Sequence, residues 1–198
     1  MLAAGFGIAG VLHAIGARAA DSSSVEEVIV TAARQVGASG YAASEGTATA
    51  EELGNRPLLR PAEVLEAVPG LVVTQHSGDG KANQYFLRGF NLDHGTDFAT
   101  FVDGVPVNMP THAHGQGYSD LNFLIPELIE RVDYRKGVYY AEEGDFSAAG
   151  AAQIHYRSRL DEPLVTVAAG EEGYRRVLAA TSRGLADGEL LQIGRAHV

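Results

Sequence analysis

Short apolar runs, separated by polar and glycine-rich stretches, occupy most of the chain and favour strands over long helices. Leu71-Val72-Val73 and the run in "YFLRGF" are rich in β-branched and aromatic residues, which predicts two strands. In the second run, Tyr85 and Leu87 would share one face because side chains alternate along a strand. The segment "DFATFVDGVPVN" sets Asp103-Gly104 between two apolar runs, which predicts a hairpin.

Two segments carry helix signals among these strands. Pro61 stands at the first helical position of "PAEVLEAV", whose apolar residues form one stripe, and Pro69-Gly70 ends that pattern. A second helix is expected from Pro126 in "IPELIERV". Short helices mixed with short strands predict one α+β domain with a small mixed sheet over residues 57–159.

A strict two-residue alternation follows this domain, in "PLVTVAAGEEGYRRVLAATSRG". Two alternating runs flank a Gly-Glu-Glu-Gly turn, as in a pair of antiparallel strands. The two faces of the first strand would carry Leu164, Thr166 and Ala168 on one side and Val165, Val167 and Ala169 on the other. The pattern is typical of strands in a membrane barrel and equally of an ordinary hairpin.

The N-terminal segment has the pattern of a secretory signal peptide. Residues 2–16 are apolar and Ala17-Arg18-Ala19 forms an A-x-A cleavage pattern, although no Lys or Arg precedes the apolar run. We therefore expect a signal peptide over residues 1–19. Residues 20–56 are rich in small and polar residues, which predicts a flexible linker. Within it, Val28-Ile29-Val30 predicts a lone strand, or else an edge strand of the folded domain.

Composition narrows the classes of partner and chemistry. The chain has 198 residues, of which 45% are hydrophobic, enough for one domain with its own core. A formal net charge of −10 argues against a nucleic-acid partner, because phosphate binding needs a basic face. The chain has no cysteine, which excludes disulfides and thiolate chemistry.

Five segments, in this order, resemble the start of TonB-dependent outer-membrane receptors. They are "EEVIVTA", "EVLEAVPGLVV", "FLRGF", "FVDGVPVN", and "LIPELIERVDYRKG" followed by "GDFSAAGAAQI". Two departures from the family pattern stand out. Val138 follows Gly137 where a proline is common, and Ile154-His155 stand where an Ile-Asn pair is common.

The resemblance implies a plug domain that sits inside a large β-barrel of the Gram-negative outer membrane. On this pattern residues 57–159 are the plug and residues 160–192 are the first strands of a barrel that the chain is too short to complete. We therefore expect a fragment of a longer transporter. The last residues, "IGRAHV", resemble a translated sequencing adapter, so we expect residues 193–198 to be an assembly artefact.

The resemblance also implies a TonB box near the N-terminus. An extended, β-prone segment on a flexible tether can add a strand to a partner's sheet through main-chain hydrogen bonds. The expected TonB-binding residues are Glu26, Glu27, Val28, Ile29, Val30, Thr31 and Ala32. The implied partners are periplasmic TonB, the chain's own barrel, the outer membrane and a scarce small-molecule or metal-chelate cargo. No cofactor and no catalysis are expected.

Two polar loops, "NLDHGTDF" and "PTHAHGQGY", are the candidates for contact with cargo. The residues that they offer are Asp93, His94, Asp97, His112, His114, Gln116 and Tyr118. On an extended segment His112 and His114 would point the same way, so together with His94 they could form a metal site, in which Asp97 is a further candidate ligand. The alternative is that these histidines only hydrogen-bond the loops or the barrel wall.

Charged residues of the domain have two interpretations. On the family pattern, Arg88, Glu130, Arg131, Arg135 and Lys136 would pair with the barrel wall; otherwise they form a solvated face. The acidic run in "YAEEGDF" lacks the spacing of a calcium-binding loop and is interpreted as an acidic turn.

Two other functions stay open at this point. One is a periplasmic or secreted binding module without a barrel. The other is a metal-dependent hydrolase that uses His112, His114 and Asp97, although no H-E-x-x-H pair accompanies them. The cargo is undetermined, since siderophores, metal chelates and cobalamin all suit the same architecture.

Overall fold

The computed structural model describes residues 44–75 and 81–197. The predicted signal peptide and TonB box lie outside the described residues. The strands are β1 (Glu45–Thr49), β2 (Leu71–Thr74), β3 (Gln84–Leu87), β4 (Phe90–Asn91), β5 (Phe98–Val102), β6 (Val105–Pro106), β7 (Ile129–Lys136), β8 (Gly150–Tyr156), β9 (Leu164–Ala169), β10 (Arg175–Leu185) and β11 (Gly188–His197). The helix α1 spans Ala50–Gly54, and short 3₁₀ helices span Pro61–Ala67, Asp93–Gly95, Pro126–Leu128, Ala141–Glu143 and Glu171–Gly173.

Three sheets organise these elements. The largest has the order β1-β7-β8-β5-β6, in which β5 and β8 are parallel and the other pairs are antiparallel. A second sheet has the order β2-β3-β4, and a third has the order β11-β10-β9. The mixed sheet with short helices confirms the predicted α+β class. Among the described residues, no helix has the length and apolar content needed to cross a membrane.

The predicted hairpin and the predicted face of β3 are both confirmed. Val102 pairs with Val105 across the turn, where Asp103 has φ 48° and Gly104 has φ 79°. Two positive φ angles match the twist of the flanking strands, and glycine adopts the second at no steric cost. In β3, Tyr85 and Leu87 are buried while Phe86 between them is exposed.

One hydrophobic core lies between the 3₁₀ segment Pro61–Ala67 and the two sheets of the domain. The segment buries Val64 and Leu65, so the apolar stripe that the sequence predicted for a helix faces the core. The core also includes Leu71, Tyr85, Leu87, Leu92, Phe98, Leu121, Leu124, Ile129, Val132 and Ile154.

The folded domain begins within the segment that the sequence predicted as a linker. β1 pairs along its whole length with β7, from Glu45 opposite Arg135 to Thr49 opposite Arg131. Thr49 then caps α1: its side chain accepts from the N–H of Glu52, whose carboxylate accepts from the N–H of Thr49. The sequence did not indicate this strand because its residues are small and polar. An edge strand needs an extended backbone more than it needs apolar side chains.

The helix expected from Pro126 is only the 3₁₀ turn Pro126–Leu128, and Ile129 already begins β7. The register of β7 against β8 shifts between Ile129 and Arg131, which leaves Glu130 as an extra residue. Because of this bulge, the buried residues Ile129 and Val132 are three apart, a spacing that resembles a helix.

The third sheet has the alternation that its sequence predicts. Along β9 the residues from Leu164 to Ala169 are half-buried and exposed in turn. The last strand continues past the predicted boundary at residue 192, since Arg195 pairs with Leu178 and Ala196 with Val177.

Contacts with the turn before β7 attach this sheet to the domain. Arg176 donates hydrogen bonds from both terminal nitrogens to Glu127, with 2.9 Å from Nη2 to Oε2. Burial alone would raise the pKa of Glu127, but the hydrogen bonds from Arg176, a backbone hydrogen bond and the charges of Arg176 and Arg195 together lower that pKa. Arg195 donates to the carbonyl of Leu124 at 2.8 Å. A small apolar cluster of Leu128, Leu160 and Ala180 fills the space between the two parts.

The close approach of β7 and β8 generates a stability prediction. Gly150 has φ 148°, and an added Cβ would press against the backbone of Arg135 and lie 3.0 Å from Cα of Lys136. Gly150→Ala should therefore lower the free energy of unfolding by about 2–4 kcal/mol. Urea denaturation followed by circular dichroism measures the change.

Gly184 of β10 is the matched control, because nothing lies within 4 Å of an added Cβ there. Gly184→Ala should change the free energy of unfolding by less than about 0.5 kcal/mol. Equal unfolding curves for the two variants would contradict the proposed clash.

Candidate functional site

The two polar loops predicted to contact cargo meet at one end of the large sheet. One loop, residues 92–97, leads into β5, and the other, residues 107–120, follows β6. The N–H of Ser119 donates to the carbonyl of His94 at 2.8 Å. An isolated bridge between Met109 and Tyr118 closes the second loop at its base.

Asn108 joins the two loops to each other and to β5. Its side chain is buried, and Oδ1 accepts from the N–H of Thr100 at 2.7 Å. Its Nδ2 faces three carbonyls, those of Gly95 at 2.9 Å, Gly117 at 3.0 Å and Phe98 at 3.1 Å. An amide has two N–H donors, so two of these carbonyls share one donor. One side chain therefore fixes the relative position of both loops.

His94 is the buried member of the histidine group. Its side chain is 0% exposed, and its backbone is left-handed, with φ 61° and ψ 28°. The ring nitrogen Nδ1 lies 2.6 Å from the carbonyl of Ala82. A carbonyl can only accept, so Nδ1 carries the proton, and in the neutral ring the lone pair is on Nε2. The N–H of Ala82 in turn donates to Oη of Tyr118 at 2.7 Å.

Asp93 and His114 complete a group of three potential ligands with His94. Their ligand atoms all lie within 4.8 Å of one another. The rings of His94 and His114 meet edge to face, with centroids 4.6 Å apart. Nε2 of His94 is 3.9 Å from Oδ1 of Asp93. Asp93 and His114 are exposed, so the group is accessible from solvent on their side.

His112 lies outside this group, although the sequence predicted it as a ligand with His94 and His114. Its ring stacks on Tyr118, with centroids 3.9 Å apart and an interplanar angle of 11°. Its Nδ1 accepts from the backbone N–H of His114 at 3.1 Å. The segment is not extended as the prediction assumed, since it bends at residues 113–114 and turns at 116–117. His112 consequently stacks on Tyr118, whereas His114 meets the ring of His94 edge to face.

The other predicted contact residues are dispersed. Gln116 is exposed and Tyr118 is half-buried. The half-buried Asp97 uses its backbone carbonyl to accept from Ala149 at 2.8 Å and is not part of the group of three. The arrangement also uses Asn108, which the sequence analysis did not select, and Asp93, which it named among the polar residues of the first loop. Asp93 was adjacent to His94 in the sequence, whereas Asn108 carried no local signal.

Buried polar side chains also occur in the segment after Ala82 and at Ser119, whose backbone N–H donates to His94. Among the described residues, four buried oxygens have no hydrogen-bond partner: Oδ1 of Asn83, Oε1 of Gln84, Oη of Tyr85 and Oγ of Ser119. Burial, and then the nearby charge of Asp120, raises the pKa of the Tyr85 hydroxyl.

Arg135 and the acidic turn form a separate group at the domain surface. Arg135 donates to both Glu142 and Glu143 at 2.8 Å, and its guanidinium lies 4.4 Å from the centroid of the Tyr140 ring. Burial lowers the pKa of Arg135, but the hydrogen bonds with Glu143 and Glu142 outweigh it and raise that pKa. The acidic turn is thus engaged with an arginine of its own domain.

The remaining charged residues of that prediction differ in their surroundings, and Arg88 is exposed. Arg131 donates to Asp133 at 3.0 Å and lies 3.9 Å from Glu130. Lys136 is buried, and burial together with the nearby charge of Arg88 lowers its pKa. Arg131 and Arg135 therefore find carboxylate partners inside the domain itself.

A sequence model of the TonB-dependent receptor plug domain matches residues 38–151. The match covers more than half of the chain, so the chain belongs to this family, and the predicted resemblance is confirmed.

Solved structures of TonB-dependent receptors have the same fold. A mutant of the ferric enterobactin receptor PfeA from Pseudomonas aeruginosa, in complex with enterobactin, is 19% identical, with a TM-score of 0.58 over 80% of this chain and 25% of that chain. The siderophore receptor PirA from Pseudomonas aeruginosa is 23% identical, with a TM-score of 0.56 over 80% of this chain and 29% of that chain. The copper transporter OprC is 19% identical, with a TM-score of 0.59 over 82% of this chain and 24% of that chain.

These similarities show the fold, and the proteins that share it are named as receptors and a transporter. The chain spans 25% of the PfeA chain and 29% of the PirA chain, so it corresponds to a limited part of each receptor.

The position of Asn108 generates a second stability prediction. Asn108→Asp would replace two donors with a carboxylate that faces three carbonyls in a buried site. We expect the free energy of unfolding to fall by about 3 kcal/mol or more. Urea denaturation at neutral pH measures it.

Asn122 is the control, because it is exposed and its Nδ2 makes one long bond, 3.3 Å, to the carbonyl of Lys81. Asn122→Asp should change the free energy by less than about 0.5 kcal/mol. If the Asn108 variant unfolds at the same urea concentration as the Asn122 variant, Asn108 does not hold the loops.

Proposed function

We propose that this chain is the plug of an outer-membrane active transporter that takes up a scarce metal-containing ligand with energy delivered through TonB. The observation that carries the proposal is the plug-domain match over residues 38–151, joined to a fold that several such receptors share. The plug would fill the lumen of a barrel formed by the rest of the receptor.

The proposed cargo class draws on two kinds of support. The similar structures are named as receptors for ferric enterobactin and other siderophores and as a copper transporter, and all of these cargoes carry a metal. In this chain, the candidate contact loops place imidazole and carboxylate groups together, and both are metal ligands. The similarity in fold alone does not select one cargo.

The third sheet supports a membrane barrel as the remainder of the protein. One face of β9 and β10 exposes Val165, Val167 and Val177, at 70%, 74% and 48% of their surface. Val167 pairs with Val177, so these side chains form one apolar strip. An exposed apolar strip of this kind suits a strand pair that borders lipid.

The proposed TonB box, residues 26–32, precedes β1 in the chain. Within residues 44–75 and 81–197, β1 is an edge strand that pairs with β7. A partner that binds the box and pulls would therefore act first on β1, at its start near Glu45. A short extended segment is enough for such binding, because strand addition uses main-chain hydrogen bonds.

A substitution in the box tests energy coupling in the full-length receptor. Ile29→Pro removes a main-chain N–H and fixes φ, so strand addition should be lost. We expect energised uptake to fall to the level of a strain without TonB, while binding of the same probe at the cell surface stays unchanged. Uptake of radiolabelled ferric enterobactin and of radiolabelled copper(II) is the measurement.

Ile29→Val is the matched control, because it keeps the N–H and the β-branched side chain. It should support uptake at the level of the unchanged receptor. Normal uptake by the Ile29→Pro receptor would place the box elsewhere. If neither probe is taken up by the unchanged receptor, the cargo lies outside both classes.

A further inference from the structure

We propose that Asp93, His94 and His114 form a binding site for a borderline divalent transition-metal ion, of the Cu²⁺ or Zn²⁺ kind. The site offers two imidazole nitrogens and one carboxylate oxygen, all within 4.8 Å of one another. His112, the neighbour that the sequence favoured as a ligand, is not part of it.

His94 is the fixed ligand of this site. Its ring is fully buried, and Nδ1 donates to the carbonyl of Ala82, so the lone pair of the neutral ring is on Nε2. Metal-binding histidines usually have their second nitrogen held in this way, because the bond sets both the tautomer and the ring orientation. The amide of Asn108 holds the next residue, Gly95, by its carbonyl. The loop is therefore rigid on both sides of the ligand atom.

Asp93 and His114 are the adjustable ligands. Around a tetrahedral metal with bonds of about 2.0–2.1 Å, ligand atoms lie about 3.3 Å apart. The present separations reach 3.9 Å from Nε2 of His94 to Asp93 and at most 4.8 Å within the group. Both side chains are exposed, so small rotations about their own bonds can close this difference while His94 stays in place.

The donor set determines which ions suit the site. Two imidazoles and one carboxylate favour Cu²⁺ and Zn²⁺, with Cu²⁺ bound more tightly, over the oxygen-seeking Ca²⁺ and Mg²⁺. Three protein ligands leave coordination positions for water or for a partial chelator. A chelate that already fills the coordination sphere, such as a metal–EDTA complex, has no position left for these side chains.

His112 has a different role, as a support for His114. It stacks on Tyr118, and its Nδ1 accepts from the backbone of His114, which places the proton of the neutral ring on Nε2. It therefore offers no lone pair toward the group in this tautomer. This difference between two histidines that are two residues apart gives the proposal a direct test.

The use of this site for cargo rests on the proposed transport function, whereas metal binding itself does not. The test therefore measures binding to the purified 198-residue chain and needs no uptake. Copper(II) chloride and zinc chloride are titrated into the chain in detergent by calorimetry, with calcium chloride and copper–EDTA as comparison titrants. Copper electron paramagnetic resonance reports the nitrogen ligands.

Three variants remove one ligand each. His94→Asn keeps a side-chain N–H that can reach Ala82 and suits the left-handed backbone, where asparagine is well tolerated, but it removes Nε2. His114→Ala and Asp93→Asn change exposed side chains. We expect His94→Asn and His114→Ala each to weaken copper binding by about tenfold or more, and each to remove one nitrogen from the copper spectrum.

His112→Asn is the matched control, because its Oδ1 can still accept from the N–H of His114. Its copper affinity should stay within about threefold of the unchanged chain. An equal loss of affinity in His112→Asn and His114→Ala overturns the ligand set. Unchanged affinity in His94→Asn, His114→Ala and Asp93→Asn together overturns the site, and so does calcium binding as tight as that of copper. If His94→Asn fails to fold, the two exposed variants decide the outcome.

The result also separates this site from the transport proposal. If the chain binds the metal but the full-length receptor does not take up copper, the metal site is supported and its role in cargo selection is excluded. Uptake without binding at these residues keeps the transport function and overturns the site.

Discussion

The amide of Asn108 is the constraint on which the candidate site depends. Its donors bind carbonyls of Gly95, Phe98 and Gly117, and its acceptor binds the N–H of Thr100. Loops without regular hydrogen bonding must satisfy their buried carbonyls in some other way, and here one side chain does so for two loops and a strand. The histidines lie on loops and still have defined positions, because the side chain of Asn108 binds both loops.

Much of the fold was predictable from local sequence. Asp103-Gly104 indicated the hairpin turn, because these two residues tolerate the positive φ angles that the turn requires. Simple alternation indicated that Tyr85 and Leu87 lie on the same face of β3. The errors have equally local causes. β1 consists of small and polar residues, so nothing in it indicated burial, and the bulge at Glu130 gave a strand the apolar spacing of a helix.

The candidate site was predictable in composition but not in geometry. The sequence indicated which two loops to examine, because histidines and acidic residues are concentrated there. It could not show that His112 stacks on Tyr118 while His114 turns toward His94, since that depends on a bend in the loop. Nor could it indicate Asn108, because this residue binds three carbonyls that come together only when the loops fold.

The place of β1 at the edge of the large sheet sets an order of mechanical events. From β1 the strands follow as β7, β8 and β5, and the loop with His94 leads into β5. A tension applied to the chain before Ser44 would peel β1 from β7 while β8, β5 and Asn108 keep their bonds. The sheet would thus lose its edge strand first. The load would then pass along the chain through α1 and the second sheet to the loop of His94, so a bound ion would be disturbed before β7 and β8 separate.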